Sequence, residues 1–173
     1  MELKSFVESL LFVAEQAVSI ENLASVLEVG EDDVEQALGT LSTEYQQRGI
    51  RLQRKGDRVQ LVSAPEAAHL IAPFLGLEMS KRLSTAALET LGIVAFRQPT
   101  TRAQIEAIRG VNSDSVLRSL VRRGLIEEVG REETAGRPIL YGTTFEFLQQ
   151  FGLESLKDLP DWHDMSEEEE EED

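Results

Sequence analysis

Histidine and cysteine are the side chains that most often carry nucleophilic or metal chemistry, and this chain has two of the first and none of the second. His69 falls in a short helical stretch with no ligand-type neighbours, and His163 borders an acidic run. Two distant histidines without cysteine are a poor donor set for zinc. No glycine-rich phosphate loop, His-Glu-x-x-His pattern or nucleophile elbow is present. The residues therefore predict no enzyme, no cofactor and no metal. What remains are groups suited to recognition. Arg118 and Arg122 lie four apart with Arg123 adjacent, and Leu117 and Val121 flank them. Guanidinium groups there can be solvated, or can meet a protein or a phosphate. Apolar neighbours favour a protein surface over a DNA groove. Arg137 and Tyr141 offer a polar anchor and an aromatic contact, or else a turn-stabilising residue and a core residue. Trp162 reads as a tail residue or a docking anchor.

The elements that position these groups are legible between Ser84 and Thr144. Ser84 or Thr85 caps a helix over Ala86–Phe96, which Pro99 stops. Leu88, Leu91 and Ala95 share its inward stripe, Ile93 and Val94 lie to either side, and Phe96 lies near its end. Gly92 lets another backbone approach. Thr101 and Gln104 form a capping-box pattern for a second helix, with Ile105 and Ile108 on one face. Gly110 ends it. Asn112 or Ser113 caps a third helix, with Asp114 in its first turn and Val116 and Leu120 inward. Leu125–Val129 and Ile139–Thr143 read as strands joined by a loop that contains Gly136. Three helices followed by a hairpin is the winged-helix order, a helix-turn-helix plus a β-hairpin wing.

The first part of the chain repeats that order. Leu3, Phe6, Val7, Leu10, Leu11 and Ala14 make Glu2–Ala14 an amphipathic helix. Phe12 and Val13 fall outside the stripe, as scattered surface residues or as a second face against a partner chain. Ser19 caps a helix with Leu23, Val26 and Leu27 inward. Gly30 and three acids open another, with Val34, Leu38, Leu41 and Tyr45 inward. Ile50–Lys55 and Arg58–Ser63 pair through Gly56-Asp57. Ser5–Leu38 lines up with Ala86–Leu120 at an offset of roughly eighty residues.

The predicted fold class is α+β, mainly helical, with tandem winged-helix domains. Residues 1–64 form the first domain and 65–83 a connecting helix (Glu66–Leu75) and hinge. Residues 84–160 form the second domain, with a last helix at Phe145–Phe151. Residues 161–173, closing on six glutamates and Asp173, read as a disordered acidic tail.

The formal net charge of −15 is uneven. Residues 1–78 carry −7, residues 79–150 carry +2 and residues 151–173 carry −10. The third helix of the first domain holds Glu31, Asp32, Asp33, Glu35 and Glu44, so its outward face would repel phosphates. No apolar run is long enough for a membrane span and no leader pattern stands at Met1–Ala14, so a cytoplasmic location is expected.

Five stretches carry a further likeness. They are Ala87–Leu91, Phe96–Pro99, Ile105–Asp114, Arg123–Glu127 and Gly136–Thr144. Together they resemble the signature of bacterial segregation and condensation protein B, tightly over Leu88–Thr144 and loosely in the first domain. That resemblance implies a non-enzymatic homodimer that binds the kleisin, segregation and condensation protein A. Through it the protein would act on the SMC ATPase in chromosome condensation and partition, with little direct DNA binding and a nucleoid association. From the spare apolar and wing-side residues themselves, the first domain is expected to dimerise through Phe6, Phe12 and Val13. The second binds the kleisin through Ile93, Val94, Phe96, Leu117, Val121, Arg137 and Tyr141. A tandem winged-helix transcription regulator is the alternative.

Overall fold

The structure, a computed structural model, describes residues 2–76 and 82–160. Contacts divide the chain into two compact units. Unit 1 is Met1–Met79 with Gly152–Ser155, and unit 2 is Ser80–Phe151 with the residues from Leu156 onward. The expected boundaries were simpler. Residues 65–76 of the expected connector group with unit 1, and so do residues 152–155, expected in the second domain.

Unit 1 opens with α1 (Leu3–Val13), whose Val7 and Leu11 are buried because they recur at helical spacing. A two-residue strand, β1 (Val18–Ser19), precedes α2 (Ile20–Leu27), and Ser19 Oγ accepts the Asn22 N–H at 3.2 Å. α3 (Glu31–Tyr45) begins where Asp33 accepts the Gly30 N–H at 3.3 Å. β2 (Ile50–Lys55) and β3 (Arg58–Ser63) pair antiparallel, with Lys55 opposite Arg58 across the turn. The sheet order is β1-β3-β2. Val7, Leu11, Leu23, Val34, Leu38, Leu41, Tyr45 and Val59 form one core, each side chain contributing about 1.5–3 kcal/mol if leucine-like in size. Val26, expected inward, is 60% exposed. Pro65–Ala67 is a 3-10 turn that leads into α4 (Ala68–Phe74), which is shorter than expected.

Unit 2 repeats the plan. α5 (Thr85–Arg97) is capped by Ser84, whose hydroxyl accepts the Ala87 N–H at 3.3 Å. β4 (Thr100–Thr101) leads to α6 (Arg102–Arg109), where both halves of the Thr101/Gln104 capping box form. α7 (Asp114–Arg122) follows, with Asn112 Oδ1 accepting the Asp114 N–H at 3.1 Å. β5 (Ile126–Arg131) and β6 (Ile139–Thr143) make the wing, with a bulge between Glu128 and Gly130. The sheet order is β4-β6-β5, and α8 (Phe145–Gln150) closes the unit on buried Phe147 and Leu148.

Each unit is therefore a winged helix whose hairpin gains a third, two-residue strand. The extra strands, β1 and β4, are too short for any periodicity to show. Of the two residues expected to share one face of α6, Ile105 is fully buried and Ile108 is 53% exposed.

Gln98 ties α5 to the wing. Its Oε1 accepts from the Thr143 N–H at 2.8 Å and from the Thr143 hydroxyl at 3.0 Å, while its Nε2 donates to Ala95 O at 3.0 Å. Thr143 is fully buried, and a Cβ on neighbouring Gly142 would stand 3.1 Å from the same Gln98 oxygen and 2.9 Å from Val129 Cγ1. Gln98→Ala strands two buried donors and is expected to destabilise unit 2 by about 1–3 kcal/mol, read as a lowered denaturation midpoint. An unchanged midpoint would show that water replaces the amide without loss.

Candidate partner-binding surfaces

The outward face of α1 is built from Ser5, Phe6, Ser9, Phe12 and Val13. Phe6 is 43%, Phe12 80% and Val13 70% exposed, and Ser9 turns its hydroxyl back to Ser5 O at 2.8 Å. Charged neighbours are drawn to the flank. Lys4 pairs with Glu44 of α3, and Glu8 accepts the Tyr45 hydroxyl at 2.7 Å. The Glu44 carboxylate raises the Lys4 ammonium, and burial, then Glu8, pushes the Tyr45 phenol above its ordinary range. These ties hold α1 on α3 and leave a face between Ser5 and Val13 that bears apolar and small uncharged groups. A patch of this kind on a small domain marks an interface.

α5 carries a second such face. Thr85, Leu88, Gly92 and Phe96 follow one another at three- and four-residue steps. Leu88 is 48% exposed, Phe96 is half-buried, and nothing lies within 4 Å of where a Gly92 Cβ would stand. The expected stripe was rotated. Ile93 and Val94, expected at the surface, are buried with Leu91, and Leu88, expected inward, faces out. The cause is Thr90. Its hydroxyl donates to Ala86 O at 2.8 Å inside the helix, so a polar residue sits in the core at no loss of a hydrogen bond. Hydropathy alone reads that position as outside.

The same correction applies to α7. Leu117, expected beside the outward arginines, is buried, and so is Ser113 one turn earlier. Val121 stays at the surface, 39% exposed. On the wing, Arg137 is exposed at a left-handed φ of 42°, and its carbonyl accepts from Arg131 Nη1 at 3.1 Å. Tyr141 is half-buried between Thr100 and Glu128 in the sheet, and burial raises its phenol. Phe96, Val121, Arg137 and Tyr141 thus remain accessible in whole or part, whereas Ile93, Val94 and Leu117 do not.

The polar cluster at the α6–α7 turn is a set of structural ties. Glu106 accepts the Ser113 N–H at 2.9 Å and pairs with Arg102 at 2.8 Å, which together, the backbone donor first, hold its carboxyl below the usual value of 4.5. Arg109 reaches Ser113 Oγ at 2.9 Å and Glu89 at 3.2 Å. His69 lies on exposed α4 with Nδ1 2.9 Å from Glu66 O. Among the described residues no three His, Cys, Asp or Glu side chains stand together as a metal site. His163 and Trp162 lie outside the described residues, as do the acidic tail and part of the expected hinge. No helix among the described residues is long and apolar enough to cross a membrane.

The family model of the segregation and condensation complex subunit ScpB matches residues 5–162. This chain belongs to the ScpB family. Segregation and condensation protein B of Clostridium tetani is 43% identical over 171 residues, covering 98% of this chain and 90% of that one. The crystal structure of ScpB from Mycobacterium tuberculosis is 37% identical, with a TM-score of 0.42, covering 88% of this chain and 96% of that one. A crystal structure of a dimer of the ScpB N-terminal domain complexed with ScpA peptide is 28% identical, with a TM-score of 0.39, covering 41% of this chain and 91% of that one.

Proposed function

We propose that this chain is a non-enzymatic, dimeric ScpB-type adaptor that binds the kleisin and, through it, supports the SMC complex in chromosome condensation and partition. It would work in the cytoplasm, at the nucleoid. The observation that carries the reading is the pair of solvent-facing apolar helix faces, on α1 and α5, in a chain of ScpB sequence. α1 supplies the self-association surface through Phe6, Phe12 and Val13. α5 and the wing supply the kleisin surface through Leu88, Gly92, Phe96, Val121, Arg137 and Tyr141.

Gly92 is the sharpest probe. A glycine in mid-helix lowers helix stability by roughly 1 kcal/mol relative to alanine. No neighbour within the unit needs its smallness. Gly92→Leu is therefore expected to leave the melting temperature unchanged or raised while reducing kleisin affinity tenfold or more, about 1.4 kcal/mol, by calorimetric titration. Unchanged affinity would remove α5 from the interface. A second placement has its own observation. On α4 of unit 1, Leu70 is 65% and Phe74 87% exposed at a four-residue step. Phe74→Asp titrated beside Gly92→Leu decides between the two.

The rival reading, a DNA-binding regulator, is opposed by the acidic α3. DNA affinity should be weak and without sequence preference near ~150 mM salt, where screening leaves a Debye length of about 8 Å. A discrete footprint on a defined site under that condition would favour the regulator instead.

A further inference from the structure

The two repeats have diverged most in the charge of the second helix of each helix-turn-helix. Residues 31–47, which contain α3, hold five acids and no Lys or Arg. Residues 114–123, which contain α7, hold Arg118, Arg122 and Arg123 and the single acid Asp114. The solvent-facing side of α7 presents Ser115, Arg118, Ser119 and Arg122, with Val121 at its margin. Asp114 is shared there by two guanidinium groups, Arg118 at 2.7 Å and Arg102 at 3.0 Å. The Arg118 side chain stays 66% exposed even so. No ion pair engages Arg122 among the described residues. Arg102 and Arg118 thus share two carboxylates, Glu106 and Asp114, and Arg122 adds a positive charge to the face.

We propose that this face is the docking site of the chain's own acidic C-terminal segment, residues 161–173. That segment carries nine carboxylates and no Lys or Arg, and it holds two apolar anchors, Trp162 and Met165. Its sign is opposite to the face, and its anchors suit the exposed Val121. Reach is sufficient. Thirteen residues extend to about 45 Å at most, whereas a unit of some eighty residues is only about 30 Å across. The segment also leaves from Pro160, which belongs to the same unit as α7. Exposed ion pairs are individually weak and screened by salt. A tether changes that balance, because it holds the segment at an effective concentration near the millimolar range, where weak contacts are populated. Docking then shields this cationic helix face from other polyanions. Val121 is shared with the proposed kleisin surface, whereas Arg118 and Arg122 are not, so those two arginines carry the inference.

Trp162 is the only tryptophan of the chain, so its fluorescence in the intact chain reports the segment directly. At ~20 mM salt, acrylamide quenching of Trp162 should be reduced, and it should rise about threefold at ~500 mM salt, where the Debye length falls below 5 Å. The double variant Arg118→Glu/Arg122→Glu should show the high quenching already at low salt. Arg48→Glu, an exposed charge change of the same sign in unit 1, should not. Should the reversed pair perturb folding in a melting curve, Arg118→Gln/Arg122→Gln replaces it with the same expectation. Quenching that is high and salt-independent in the parent chain overturns the proposal, because the segment is then undocked. Salt-sensitive quenching that ignores the α7 variants also overturns it, because the segment then docks elsewhere. Added duplex DNA that raises Trp162 quenching only in chains with Arg118 and Arg122 intact would support it.

Discussion

Replacing Arg51 with methionine should destabilise unit 1 by about 3–5 kcal/mol, although arginine on a hairpin strand usually matters little. Its guanidinium is nearly buried, with the side chain 9% exposed. Nη1 donates to Tyr45 O at 2.8 Å, to Ile50 O at 2.9 Å and to Arg48 O, and so closes the last carbonyl of α3 and two more on the way into β2. Nη2 donates to Glu66 at 3.2 Å, and Nε lies 3.5 Å from Glu154. One side chain therefore joins the end of α3, the turn before α4 and the 152–155 segment. That segment is itself held by Arg54 N–H to Glu154 O at 2.7 Å and by Gln53 Nε2 to Leu153 O at 2.8 Å. Methionine keeps much of the apolar stem but no donor. Each buried carbonyl left unpaired costs about 1–3 kcal/mol. Urea denaturation of the purified variant gives the difference directly. A loss under about 1 kcal/mol would mean that water enters and satisfies the carbonyls.

Phe12→Asp should convert the dimer to a monomer at micromolar concentration without lowering the melting temperature of the isolated chain fold. At 80% exposure the phenylalanine contributes almost nothing to its own unit. In a helix–helix contact it would be a central aromatic anchor, a type whose truncation costs 2 kcal/mol or more, and a buried carboxylate adds a desolvation penalty. The dimer dissociation constant should rise by roughly 100-fold or more, about 2.7 kcal/mol. Light scattering of the variant across a dilution series reads it. A variant that keeps the parent's mass at every concentration would exclude Phe12 from the contact. A parent chain that is already monomeric would exclude the α1 dimer altogether.

The repeated fold was legible because its boundary signals are local. Ser19, Thr101 with Gln104, and Thr144 cap the helices at the expected positions, and the β2–β3 hairpin has the expected ends. The surfaces were harder to read, for a physical reason. A hydropathy stripe marks as outward any position that holds a hydroxyl, yet Thr90 is fully buried by bonding its own helix. That single residue turned the inferred face of α5 and put Ile93 and Val94 outside. On α7, Leu117 was expected beside the outward arginines yet is buried, and the hydroxyl of the N-cap Ser113 is buried one turn earlier. The strands β1 and β4 were missed because two residues have no period. The docking of residues 152–155 on unit 1 depends on Arg51, Gln53 and Arg54, a hundred positions earlier, which no local pattern connects.

As a dimeric kleisin adaptor, the chain should hold the kleisin as a pair. The most direct test is to mix the purified protein with the kleisin and measure the mass of the eluted complex by light scattering coupled to gel filtration. One complex is expected, which contains the kleisin and two copies of the 19.3 kDa chain and loses the kleisin in the Gly92→Leu variant while the dimer persists. A kleisin that elutes apart from the chain, or that carries a single copy of it, would contradict this assembly.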